Sequence, residues 1–216
     1  LILRPTPNQA VEQINITRNR LIVGLTENVT GQAWVYTPGG DGAGPTTWTS
    51  RKLDLPANIT IGVGSASERD DRVFFNVAGY LTPSTLWLAD AASGKAEMIK
   101  SLPPKFDAST HVVEQFWATS KDGTKVPYFV VRPKSLKYDG TAPTLLYAYG
   151  GFQNSMKPGY SATVGKLWLE NGGVYVVANI RGGGEFGPAW HEAGLKANRQ
   201  RVYDDFFAVS EDLIAR

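Results

Sequence analysis

The chain of 216 residues has no cysteine, only two histidines and only two methionines. Lack of cysteine removes disulfides, thiolate zinc sites and a cysteine nucleophile together. It leaves the compartment open, because a cysteine-free protein tolerates oxidising and reducing surroundings alike. No apolar run approaches the roughly 18 residues of a membrane span, so no membrane partner is expected. Charge of one sign is also scarce. The formal net charge is +2, and the lysines and arginines are scattered, so no basic stripe points to nucleic acid. The opening LILRPTPNQAVEQ has neither an initiator Met nor a signal peptide's layout. A mature secreted protein would begin so, and so would a chain cut from a longer one.

What is present is an ordinary globular composition, 42% hydrophobic and 19% charged, which supports a packed core. Two grammars share it. From about residue 11 to 100 apolar runs recur as RLIVGL, GQAWVYT, ITIGVGS, RVFFNVA and TLWLAD. Turn-rich pieces, TPGGDGAGP, SASERDD and AASGK, separate them. Strands of about six residues at roughly 10–14-residue spacing predict an all-β array of meanders. In RVFFNVA and TLWLAD apolar residues fall on both faces, the pattern of stacked sheets and hence of propeller blades. No clean repeat of blade length is visible, so a sandwich stays open.

The Pro-rich SLPPKFDAST, residues 101–110, punctuates the chain and places a domain boundary near residue 105 (1–104 and 105–216). Beyond it, HVVEQFWATSKDGTKVPYFVVRP predicts a hairpin turning at Lys121-Asp122-Gly123-Thr124. TLLYAY (144–149) predicts a strand, and SATVGKLWLENGG (161–173) a helix with a Gly-Gly C-cap. VYVVANI predicts the next strand. RVYDDFFAVSEDLIAR (201–216) predicts an amphipathic helix with Val202, Phe206, Val209 and Leu213 on one face. Strand, helix, strand, helix is the start of an α/β sheet, with too few strands to complete one.

Between that second strand and the last helix lies NIRGGGEFG, residues 179–187, which satisfies G-x-G-x-x-G. A dinucleotide site needs a following helix, then a second strand carrying an acid for the ribose. Asp204 and Asp205 lie at about the right distance but in a helical pattern, and no strand intervenes. The remaining possibility on residues alone is a tight strand-to-helix turn, for which glycine supplies positive φ and close backbone approach.

Taken together, YAYGGF, NIRGGGEFGPAWHEAG and VYDDFFAVSEDLI resemble the catalytic domain of the prolyl oligopeptidase family of serine peptidases. The resemblance runs back through KFDASTHVVEQFWATSKDGTKVPYFVV into FNVAGYLTPSTLWLAD, about residues 73–216. It implies propeller blades followed by part of an α/β-hydrolase domain, acting on short peptides without metal or organic cofactor. Such an enzyme needs a serine in a G-x-S-x-G elbow, then an acid, then a histidine. No elbow occurs in this sequence. The family pattern would place it about a dozen residues beyond Arg216, after one more strand. The chain alone is therefore expected to be inactive, and the remaining hydrolase portion is a candidate partner as a separate polypeptide. Neither His111 nor His191 matches the triad position.

The resemblance gives two residues roles. Tyr149, at the end of TLLYAY, would donate half of an oxyanion hole; by residue type alone it could equally plug the strand end. Phe152 would line the substrate pocket, where a flat apolar wall suits proline; otherwise it would belong to the core. Tyr147 shares a face with Tyr149 and receives no role. Arg181 and Glu185 are expected to pair locally, and Asp204 and Asp205 to suit the helix macrodipole. YGGF points toward cleavage after proline; the acids Glu68, Asp70 and Asp71 are too generic to argue a basic-residue pocket. A binding module without chemistry, made of blades and a partial sheet, is the alternative.

Overall fold

A computed structural model describes residues 1–40 and 47–216. The turn-rich segment TPGGDGAGP falls largely on 41–45, outside the described residues. The chain divides into two compact units, Leu1–Pro103 and Pro104–Arg216.

The first unit is two antiparallel meanders whose strands follow chain order. One holds β1 (Gln9–Ile16), β2 (Leu21–Glu27), β3 (Thr30–Gly39) and β4 (Thr47–Lys52). The other holds β5 (Ile59–Ala66), β6 (Arg72–Gly79), β7 (Thr85–Asp90) and β8 (Ala96–Ser101). They share a core of Ile22, Val35 and Leu53 against Ile59, Val73, Phe75 and Val77. Gly31 lets the sheets close up, since a Cβ there would lie 2.7 Å from the backbone N of Ile61. Asp71 ties the two meanders together, accepting from Thr17 Oγ1 at 2.8 Å and from the Asn19 backbone N–H at 3.0 Å.

Every interior strand of the sequence reading is present. The strands that reading lacks, β1, β4 and β8, lie at sheet edges with mostly exposed side chains, so they carry no burial pattern. One expectation is corrected. β6 buries a single face in strict alternation, leaving Phe74 36% exposed, because within this chain the other meander covers only the face carrying Val73, Phe75 and Val77.

The second unit is built on a mixed sheet of order β11-β12-β10-β9. β9 (His111–Thr119) and β10 (Lys125–Pro133) form the hairpin. Its turn is closed by the Ser120 N–H on Thr124 O, with Gly123 at φ 86°. β11 (Thr144–Ala148) and β12 (Val174–Ala178) run parallel, joined through α1 (Ala162–Leu167). The helix expected over 161–173 is thus shorter. Past Trp168 it tightens to a 3₁₀ turn, Leu169–Asn171, and stops at left-handed Gly172. The Trp168 ring folds back over Gly173, its Nε1–H donating to Val174 O at 2.8 Å.

After β12 come the short α2 (Pro188–Glu192) and the long α3 (Gln200–Ala215). α3 buries Val202, Ala208 and Val209 in a core with Val126, Tyr128, Val130 and Val176 of the sheet. Full burial of each such aliphatic side chain is worth about 1.5–3 kcal/mol. β11 lies at one edge, with Leu145 and Tyr147 over two-fifths exposed.

Candidate functional site

The carboxyl ends of parallel strands are where an α/β sheet collects its functional loops. Here β11 feeds residues 149–156 and β12 feeds residues 179–187, and the two loops pack directly together. The three glycines explain how. A Cβ on Gly182 would lie 2.5 Å from Gly150 O, one on Gly183 2.9 Å from Asn154 O, and one on Gly184 2.3 Å from Gln153 O. The glycine run is a seat for the carbonyls of the preceding loop. Among its backbone N–H groups, that of Gly182 is spent on Trp190 O and that of Gly187 on Gly184 O. A surface that faces carbonyl oxygens repels phosphate, so the nucleotide reading fails on geometry as well as on context.

The seated loop is strained. Gly150 (φ 60°), Phe152 (φ 51°) and Gln153 (φ 57°) all occupy the left-handed region. For non-glycine residues this conformation is uncommon and costs of order 1–3 kcal/mol each. Surrounding contacts hold it. Arg199 Nη1 donates to Gly150 O at 2.6 Å, and the Gln153 N–H reaches Gly182 O at 3.2 Å. His191 Nδ1 stands 2.6 Å from the same carbonyl and 3.1 Å from Gln153 N. One nitrogen cannot donate to the first and accept from the second. The shorter contact places the proton on Nδ1, donating to Gly182 O.

The strand stops at Ala148, one residue before Tyr149. Tyr149 is 44% exposed, and no hydrogen bond holds its hydroxyl among the described residues. Within this chain Phe152 is 84% exposed. Tyr147 lies on the same face, 42% exposed.

Arg181 corrects the expected local pair with Glu185. Its guanidinium, almost fully buried, donates to Asp205 at 2.6 Å and Asp122 at 2.5 Å, and its own backbone N–H reaches Asp205 at 2.9 Å. Asp205 is completely buried. The hydrogen bonds from Arg181 hold the Asp122 carboxyl far below the usual range. The macrodipole expectation for the two acids also fails, since the first turn of α3 carries no acid; Asp204 simply accepts from Gln200. A signal for the true partner was available. Asp205 falls on the apolar face with Val202 and Val209, and an acid there requires a buried cation.

Glu185 points elsewhere. It is 2% exposed, and its Oε1 accepts from the Met156 N–H at 2.9 Å and Asn179 Nδ2 at 3.3 Å. Asn179 Nδ2 also donates to Met156 O at 2.7 Å. On the loop's other flank Phe186 packs between Trp117 and Trp190. His111 is buried away from this site, its Nε2 beside Leu169 O at 3.1 Å. Among the described residues no group of three acids or histidines is placed to hold a metal, and no helix is long and apolar enough to cross a membrane.

The chain's similarities agree with this layout. Residues 3–102 match the family model for the prolyl oligopeptidase N-terminal beta-propeller domain, and residues 159–216 match that for the prolyl oligopeptidase family. An uncharacterized peptidase of Sinorhizobium fredii is 55% identical over the whole chain. A prolyl endopeptidase of Elizabethkingia miricola is 42% identical over 76% of it. Among solved structures, a post-proline cleaving enzyme from Rickettsia typhi superposes over 99% of the chain with a TM-score of 0.83 at 38% identity. The chain spans 29%, 23% and 30% of these three proteins respectively. The meanders are therefore propeller blades and the second unit is part of an α/β-hydrolase domain: the chain belongs to the prolyl oligopeptidase family.

Proposed function

We propose that this chain is part of a serine-type oligopeptidase that cleaves short peptides after proline through an acyl-enzyme. The observation that carries the reading is the strained loop after β11, which presents Tyr149 and Phe152 to solvent at the carboxyl end of the parallel strands. The Tyr149 hydroxyl is an O–H donor, and it donates to the oxyanion that forms when the nucleophile attacks the scissile carbonyl. Phe152 offers a flat apolar wall to a proline ring, which has no N–H to satisfy. The names of the Elizabethkingia and Rickettsia relatives support the preference for proline. Nucleophile, acid and base come from outside these residues, because no G-x-S-x-G elbow is among them.

The test uses the complete polypeptide with a fluorogenic peptide ending in proline and a fluorophosphonate probe. Cleavage after proline and labelling of one serine are expected. Tyr149→Phe should lower kcat about 100-fold, the effect of losing one oxyanion donor, while the probe still labels. Absence of both label and turnover would favour a binding module. The 216-residue chain alone should give neither.

A further inference from the structure

The loop that seats Phe152 contains a buried carboxyl that the proposed reaction does not use. Both atoms of the Met156 peptide flanks are gripped from below: its N–H by Glu185 Oε1 and its C=O by Asn179 Nδ2. The grip leaves two orphans. Glu185 Oε2 and Asn179 Oδ1 are buried and have no hydrogen-bond partner. Two acceptors left unsatisfied on a touching acid and amide are one proton short. A proton on Oε2 turns it into a donor, and Asn179 Oδ1 is the buried acceptor that lacks one. Such a proton would let the Asn179 Nδ2–H to Oε1 contact be joined by a second bond, Oε2–H to Oδ1.

We infer that Glu185 works as a neutral acid, and that its closed pair with Asn179 is the positioning element that holds the turn carrying Tyr149 and Phe152. The positioning half rests on the peptidase reading above. Burial pushes the Glu185 carboxyl up, outweighing the downward pull of the hydrogen bonds from the Met156 N–H, its own backbone N–H and Asn179, and of the Lys157 charge. The other charged or titratable groups on these segments are committed elsewhere. Arg181 is held by Asp205 and Asp122, and His191 is turned to Gly182 O. An ionised carboxylate here would bury a charge with one oxygen bare, the costliest state open to it. A neutral pair rigidifies the turn without that cost, and the turn needs holding, because Phe152 and Gln153 lie in a disfavoured conformation.

Two readouts on the complete polypeptide test this. The infrared difference between wild type and Glu185→Gln at neutral pH should contain the C=O stretch of a protonated carboxyl. In peptide cleavage, Glu185→Ala should lower kcat at least about tenfold, as misplaced catalytic groups do, and Glu185→Gln should restore it to within about threefold. Gln keeps the Oε1 acceptor and gives Asn179 Oδ1 a permanent donor. Lack of the carboxyl band, or a Gln variant as impaired as the Ala variant, would overturn the inference; should Ala fail to fold, the Gln variant and the band still decide. A wild type that shows the band but cleaves nothing would sink the peptidase reading and the positioning role with it, while upholding the acid–amide pair.

Discussion

The two ends of the glycine loop are anchored by opposite chemistry. At its start, Arg181 is fixed by two aspartates in a fully ionic cluster that ties the β9–β10 turn to α3. Four residues on, Glu185 is fixed by an amide and a peptide N–H, with the Lys157 charge acting on it from nearby. The ionic anchor joins secondary-structure elements to one another and so bears on whether the unit folds. The second grips only a loop and bears on where that loop sits. A buried ion pair is costly to halve, whereas a buried acid can shed its charge and remain.

Halving the ionic anchor should have the largest effect. Arg181→Met leaves Asp205 buried and unpaired, and a loss of about 3–5 kcal/mol is expected in denaturant unfolding. Adding Asp205→Leu should recover much of it; a double variant no better than the single would show that the arginine's packing, rather than charge pairing, carries the stability. A smaller loss separates loop from frame. Gly182→Ala puts a Cβ 2.5 Å from Gly150 O at φ 93°, which should cost about 1–3 kcal/mol. Its effect on turnover should exceed its effect on the melting temperature, since what it displaces is the loop carrying Tyr149.

The smallest effect is the pH dependence, and there the two anchors differ in sign. Asp122 is depressed by Arg181, so its contribution is present above the ordinary carboxylate pKa of about 4 and is lost as pH falls below it. Glu185 is raised by burial, so its contribution is full below the ordinary carboxylate range and fades as pH climbs through the folded value. Asp122→Asn should lower the neutral plateau of a stability–pH curve and so flatten its acid limb. An unchanged acid limb would mean that other carboxylates govern acid unfolding.

Much of this was legible in the residues. Interior strands such as β6 and β10 bury side chains and carry the pattern, and α3 is written in the spacing of Val202 and Val209. The edge strands β1, β4 and β8 were not legible, because a strand whose side chains face water is held by ladder hydrogen bonds that composition does not encode. At the site, the exposed positions of Tyr149 and Phe152 followed from motif order. The partner of Arg181 is marked only by the apolar-face position of Asp205, 24 residues away, and not by any local pattern around the arginine. The use of the glycines was not legible, since their neighbours are carbonyls some 30 residues upstream.

That the glycine seat meets the carbonyls of Gly150, Gln153 and Asn154 has a consequence for protein engineering. The positions at 151–155 are gripped by their carbonyls and amides, while the Phe152 side chain projects freely. Side chains at position 152 can therefore be exchanged as cassettes without redesigning the platform. Libraries that vary the seat itself would instead rearrange every loop grafted onto it.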